Sequence, residues 1–224
     1  MDFDSLVEED ALVDGDEFLD LVEEGNLESV RAAVDSDPGL IESRSTEGDS
    51  ALHVACWQKH IDIAAFLVNQ GADINARGHQ GQTPLHYAVY EGDTESSQLV
   101  EILLEAGADV HAKDGLLEQN AMALAVRQHL DELDESIRLL EEAGSKPDLE
   151  VALWRNDPEL ARRAVADGID MTRQRVQKIL DVGKQELQSA NRFAASHMSA
   201  DIFPDPIRLN EVLEVISGWL ESAG

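Results

Sequence analysis

The chain has 224 residues, of which 46 are acidic and 17 basic, for a formal net charge of -29. That balance disfavours a nucleic-acid binder or a ligand of anionic membranes, because phosphate contacts need a dense basic surface. A hydrophobic content of 43% excludes a disordered acidic polymer. With aromatics at only 4%, the apolar residues are mainly Leu, Val, Ile and Ala, which suits helices.

Residues 1–15 are expected to form an acidic N-terminal tail or a short extra helix. From Phe18 to Val30 the chain carries a weak version of the pattern that follows, running to about Ser45. In residues 46–78, Ser50-Ala51-Leu52-His53-Val54-Ala55 opens one helix. Ile61, Ile63, Ala64, Phe66 and Leu67 then mark the apolar stripe of a second, which Gly71 stops in the left-handed conformation. In residues 79–113 the same order returns. Thr83-Pro84-Leu85-His86-Tyr87-Ala88 matches the first motif position by position at an offset of 33 residues. Gly107-Ala108-Asp109-Val110-His111-Ala112 likewise pairs with Gly71-Ala72-Asp73-Ile74-Asn75-Ala76. Thr83 is the expected N-cap, and Pro84 stands where its missing N–H costs nothing.

A 33-residue period with a Thr-Pro-Leu-His-x-Ala core resembles the ankyrin-repeat family. The resemblance implies a turn and two antiparallel helices per unit, with Leu85 and Ala88 directed into the stack. One unit cannot bury its apolar face alone, so several must stack. Weaker copies occupy 16–45, 114–147 (with Asn120-Ala121-Met122-Ala123-Leu124-Ala125 in the motif's place) and 148–171. From Leu52 to Gly71 is 19 residues, but from Leu85 to Gly107 and from Met122 to Gly144 is 22, so three extra residues are expected near 93–97 and 130–135. Residues 172–224 lack the motif. They are expected to form a helix around Val176, Ile179, Leu180, Leu187 and Phe193, interrupted at Gly183. A loop at Pro204 and Pro206 follows, then a second amphipathic helix through Leu209, Val212, Leu213, Ile216, Trp219 and Leu220. This pair would cap the exposed end of the stack. The expected fold is therefore all-α, an ankyrin-repeat solenoid of about five helix pairs with a helical C-terminal cap.

A single cysteine, Cys56, points to a reducing compartment. The acidic start is unlike a signal peptide, and no apolar stretch reaches the ~18 residues of a membrane span. A cytoplasmic, monomeric protein is expected. Residues 1–50 carry a net -15 and residues 51–154 a net -12, whereas residues 155–192 carry +2. The excess has three readings: solvation of a helical surface, a face for a basic partner, or adaptation to high salt.

No Gly-rich phosphate loop, Cys-x-x-Cys, His-Glu-x-x-His or Gly-x-Ser-x-Gly occurs. By resemblance, His53 and His86 are structural hydrogen bonders of the turn. His60, His79, His111, His129 and His197 show no metal-ligand spacing, and Cys56 reads as a small core residue. No catalytic residue, metal or cofactor is expected.

Two residues past the core Ala stands a column of variable positions, Glu23, Trp57, Tyr90, Arg127 and Trp154, followed by Glu24, Gln58, Glu91, Gln128 and Arg155. In the ankyrin family these positions lie at the end of the first helix, face a concave groove and commonly contact partners. Trp, Tyr and Arg are also the residue types enriched in binding hot spots. The alternative is that each ring packs as core against the next repeat. The turn residues Thr46, Glu47, Asp49, His79, Gln80, Gln82, Leu116 and Leu117 would form the other edge. The expected partner site is therefore Trp57, Gln58, His79, Gln82, Tyr90, Glu91, Arg127 and Trp154. The function expected is non-enzymatic binding of a basic protein partner, in the manner of an inhibitor or immunity-type protein, with no direct nucleic-acid or membrane contact. Two alternatives stand beside it: an acidic mimic of nucleic acid that occupies a nucleic-acid-binding protein, and an enzyme whose site lies in the C-terminal segment.

Overall fold

The computed structural model describes residues 13–116, 118–128, 135–145, 149–166, 173–195 and 205–222. Five helix pairs follow one another: α1 (Gly15–Glu23) and α2 (Leu27–Ser36), α3 (Ala51–Trp57) and α4 (Ile61–Asn69), α5 (Pro84–Ala88) and α6 (Thr94–Glu105), α7 (Ala121–Gln128) and α8 (Glu135–Glu142), α9 (Leu149–Trp154) and α10 (Pro158–Ala166). A longer pair, α11 (Arg173–Ala195) and α12 (Pro206–Ser222), closes the described chain. Among the described residues no helix is long and apolar enough to cross a membrane.

Local chemistry sets these boundaries. Asp14 accepts from the Asp16 and Glu17 amides at the start of α1, and Asn26 accepts from Ser29 at the start of α2. At the end of α4 the Gly71 amide donates to the Val68 carbonyl and the Ala72 amide to Leu67, both at 3.0 Å. Gly107 and Ala108 repeat this pairing onto Leu104 and Leu103. These paired bonds satisfy the last helical carbonyls only if the glycine takes a left-handed conformation, and φ is 93° at Gly71 and 92° at Gly107. The three extra residues of the third pair lengthen α6, which has 12 residues against 9 in α4, with Asp93 as its N-cap. The corresponding extra residues at 130–134 lie outside the described segments.

The first helices of the pairs pack in sequence, α1 on α3, α3 on α5, α5 on α7 and α7 on α9; the second helices do the same from α2 to α8. Small residues at the contacts (Ala51, Ala55, Ala88, Ala121, Ala125 and Ala152, all buried) let the inner helices approach, while Leu52, Leu85, Leu99, Leu103 and Met122 fill the space between layers. Polar bonds hold the same stack in register. Arg44 donates to the carbonyls of Gly48 in its own turn and Arg77 in the next, at 3.1 and 3.2 Å. Arg77, 33 residues on, does likewise to Gly81 and Lys113.

The terminal pair lies against α9, and α12 also packs on α10. Arg173 at the start of α11 donates to the Leu220 carbonyl near the end of α12 at 2.8 Å, as antiparallel helices require. Asn156 donates to the Asp205 carbonyl at 3.0 Å, which ties the fifth pair to the start of α12. The expected break at Gly183 does not occur: α11 runs through it unbroken. A Cβ there would lie 2.4 Å from Leu213 Cδ2 and 2.8 Å from Leu153 Cδ1. The glycine is a site of close helix approach rather than a breaker.

Candidate functional site

The first helices bury their motif residues and leave their last turn facing outward. In α3, Leu52, His53, Ala55 and Cys56 are buried, whereas Trp57 at its end is 51% exposed. In the next repeat α5 ends earlier, at Ala88, so Tyr90 stands in the following turn, 37% exposed. Tyr87, one residue after the motif histidine, projects between them. Trp57 meets Tyr90 edge-to-face with centroids 5.1 Å apart and Tyr87 edge-to-face at 5.9 Å. Tyr87 in turn stands edge-on to His53 at 5.1 Å. Four rings from two repeats thus form one contiguous cluster.

Each motif histidine has a defined tautomer. The Ser50 amide donates to His53 Nδ1 at 3.1 Å, and His53 Nε2 meets the Gln82 carbonyl at 3.1 Å. An amide only donates and a carbonyl only accepts, so Nδ1 is bare and Nε2 carries the proton. His86 repeats this with the Thr83 amide at 3.2 Å and the Gln119 carbonyl at 3.0 Å. Burial of both rings depresses their pKa below the ordinary value. Each imidazole caps its own helix and bonds the turn of the next repeat.

The other wall is built by the turns that precede α3 and α5. Asp49 Oδ1 accepts from the His79 amide at 2.7 Å and from the Tyr87 hydroxyl at 2.9 Å. Burial and this carboxylate together push the Tyr87 phenol above its ordinary pKa. Gly78 makes the closure possible, because a Cβ there would fall 2.1 Å from Asp49 Oδ1 and 2.9 Å from His53 Nε2. The His79 ring lies 3.6 Å from Glu47, and Gln58 reaches across to the Glu23 carboxylate at 3.1 Å.

Between these walls runs a groove of about 670 Å³. It brings together Trp57, Gln58, His79, Gln82 and Tyr90 from the expected set, together with Glu23, Glu47 and Asp49. Glu91 and Arg127 do not line it. The Glu91 carboxylate pairs with Lys59, which also binds Asp93. Burial acts to raise the Asp93 pKa, but the bonds from Lys59 and Ser96 outweigh it and bring the carboxyl down to about 2. Arg127 is exposed on α7, with its guanidinium 3.5 Å from Gln119. Trp154 closes α9, and its side chain lies outside the described set, as does all of Leu117; Leu116 is 62% exposed. Of the lining residues outside the expected column and turns, Ser45, Val54 and Tyr87, Tyr87 is the aromatic one. Its signal was an aromatic inside the motif, where the preceding repeat has Val54.

Cys56 is buried, and burial pushes its thiol well above the ordinary pKa, so it is no nucleophile. Among the described residues no group of three or more His, Cys, Asp or Glu could hold a metal ion.

Residues 18–114 match the sequence model for ankyrin repeats in three copies. Among curated proteins, the chain is 46% identical over 69 residues to NF-kappa-B inhibitor cactus of Drosophila yakuba, covering 30% of this chain and 14% of the inhibitor. It is 36% identical over 113 residues to E3 ubiquitin-protein ligase XBAT32 of Arabidopsis thaliana, covering 50% of this chain and 22% of the ligase. It is 33% identical over 92 residues to Protein phosphatase 1 regulatory subunit 27 of Mus musculus, covering 41% of this chain and 58% of the subunit. In each case the matched segment spans less than two thirds of the relative.

Proposed function

Residues 18–114 match ankyrin repeats, and from that premise we propose that the chain is a non-enzymatic binding protein that holds a basic protein partner in the groove around Trp57. The observation that carries the reading is the pair Trp57 and Tyr90. They stand edge-to-face, 51% and 37% exposed, in a groove whose lining includes three carboxylates and neither Lys nor Arg. Rigid aromatic rings in a concave site supply binding energy, and surrounding charge of one sign speeds encounter and selects against wrong partners. The aromatic centre favours protein docking over phosphate mimicry, for which evenly spaced carboxylates along a ridge would be the fitting surface. Two of the relatives are by name an inhibitor and a regulatory subunit, which favours a role in restraining or redirecting the partner. The expected cytoplasmic setting agrees with the free, buried Cys56.

The test is capture with the intact chain, identification of the bound protein, and titration of that protein in purified form. A partner of high isoelectric point, bound by the wild type and lost in a Trp57→Ala/Tyr90→Ala variant that still unfolds cooperatively, is the expected result. Undiminished binding by that variant would move the site elsewhere.

A further inference from the structure

The groove also specifies the side chain that fills it. Trp57 is in contact with both Tyr87 and Tyr90, so no slot opens between the rings, and a ligand group meets their outer faces. Trp57 is the most exposed of these three residues, and the π-cloud of an indole attracts a cation. Carboxylates reach this place from two repeats, Glu23 at the end of α1 and Glu47 and Asp49 in the turn before α3. The chain's own nearby cations are engaged elsewhere: Lys59 with Glu91 and Asp93, Arg44 and Arg77 with backbone carbonyls of the turns. One Glu23 oxygen takes the Gln58 amide, Asp49 Oδ1 takes Tyr87 and His79, and the Glu47 side chain is 66% exposed.

We infer that the groove is an arginine site: a partner's arginine lays its guanidinium on the exposed face of Trp57 and donates to carboxylates among Glu23, Glu47 and Asp49. This rests on the groove being the docking face and names the chemistry that docks there. A guanidinium is flat enough to stack on an indole, and its five donors point in several directions at once, matching acceptors that come from different repeats. A lysine ammonium is a compact, strongly hydrated point charge that can approach the same carboxylates and ring but cannot stack flat on the indole. A methylated ammonium needs rings standing apart as the walls of a cage, and mutual contact of these rings leaves no such space.

The test follows the Trp57 indole N–H by NMR in the full chain, assigned with Trp57→Phe, while capped tetra-arginine, tetra-lysine and tetra-citrulline peptides are added at one ionic strength. Tetra-arginine should shift that resonance saturably and bind about fivefold tighter than tetra-lysine, with tetra-citrulline silent. With affinities of the variants read by calorimetry on the same peptides, Trp57→Ala should bring arginine down to the lysine level, Trp57→Phe should fall between, and Glu23→Gln/Glu47→Gln should weaken both cationic peptides; circular dichroism melts confirm folding of each. Equal binding of the arginine and lysine peptides, insensitive to Trp57→Ala, would overturn the inference in favour of diffuse attraction. Equal binding of citrulline would overturn it because charge would not be read. If no peptide touches Trp57 while the captured partner still depends on Trp57 and Tyr90, the docking face stands and the arginine assignment fails.

Discussion

The Tyr87 hydroxyl donates to Asp49 Oδ1 at 2.9 Å across 38 residues of sequence, joining the helix of one repeat to the turn of the repeat before it. The same carboxylate oxygen receives the His79 amide, so one side chain fixes the turn, the ring beneath Trp57 and the width of the groove. Replacing Tyr87 by Phe keeps the ring and removes the bond. The expected cost is about 1–2 kcal/mol of stability, read from thermal or urea melts. Asp49→Asn keeps an acceptor oxygen for both donors, so it should cost less than Asp49→Ala.

Replacing Trp57 or Tyr90 by Ala should separate binding from folding. Both rings are partly exposed and meet each other edge-to-face, so each variant should lose about 1 kcal/mol of stability. Loss of partner affinity should reach about 2 kcal/mol or more by calorimetry. Leu85→Ala, at a site 1% exposed between stacked helices, should instead cost about 2–5 kcal/mol of stability. A Trp57→Ala variant as unstable as Leu85→Ala would mean that the indole is core.

Stability should fall as pH drops from 7 to 5. His53 and His86 have folded pKa values depressed by burial below the ordinary 6.5, so the unfolded chain takes up protons first. Their contribution is full above about 6.5 and is lost as pH falls toward and through the depressed values. The structural reason is that a proton on Nδ1 would face the Ser50 or Thr83 amide, donor against donor. Urea midpoints at pH 7.5, 6.5 and 5.5 check this, and a His53→Gln/His86→Gln variant, though less stable at pH 7.5, should show a flatter slope.

Gly183 gives a test of the terminal pair. Ala in a helix interior gains about 1 kcal/mol over Gly, yet its Cβ would press on Leu213 and Leu153, both buried. Overpacking of that kind costs about 1–3 kcal/mol, so Gly183→Ala should be net destabilising and Gly183→Leu more strongly so. Deleting residues 172–224 should expose the buried faces of α9 and α10, with aggregation visible by light scattering. A truncated chain that stays monomeric and equally stable would make the terminal pair an appendage.

Binding of a basic partner should weaken with added salt. Raising ionic strength from about 0.05 to 0.5 M shortens the screening length several-fold and should lower the association rate more than it raises dissociation, as stopped-flow measurements would read. A salt-independent rate would leave the aromatic contacts as the whole of the recognition and remove the case for a basic partner.

The 33-residue period, the caps at Gly71 and Gly107, the Thr83–Pro84 helix start and the extra residues near Asp93 were all legible in the sequence. Each is a local instruction: a left-handed position, a capping hydroxyl or a helical apolar stripe acts within a few residues and carries its signature there. The exposure of Trp57 and Tyr90 was half legible, because repeat register put both in one column without saying what each ring touches. Tertiary structure alone brought Tyr87 between His53 and Trp57, gave Glu91 to Lys59 rather than to the groove, and turned Gly183 from an apparent breaker into the point where α11 meets Leu153 and Leu213. Those outcomes depend on how far one repeat is offset from the next when their buried faces meet. Close packing settles that offset across residues 30 to 34 apart in sequence, where no local pattern reaches.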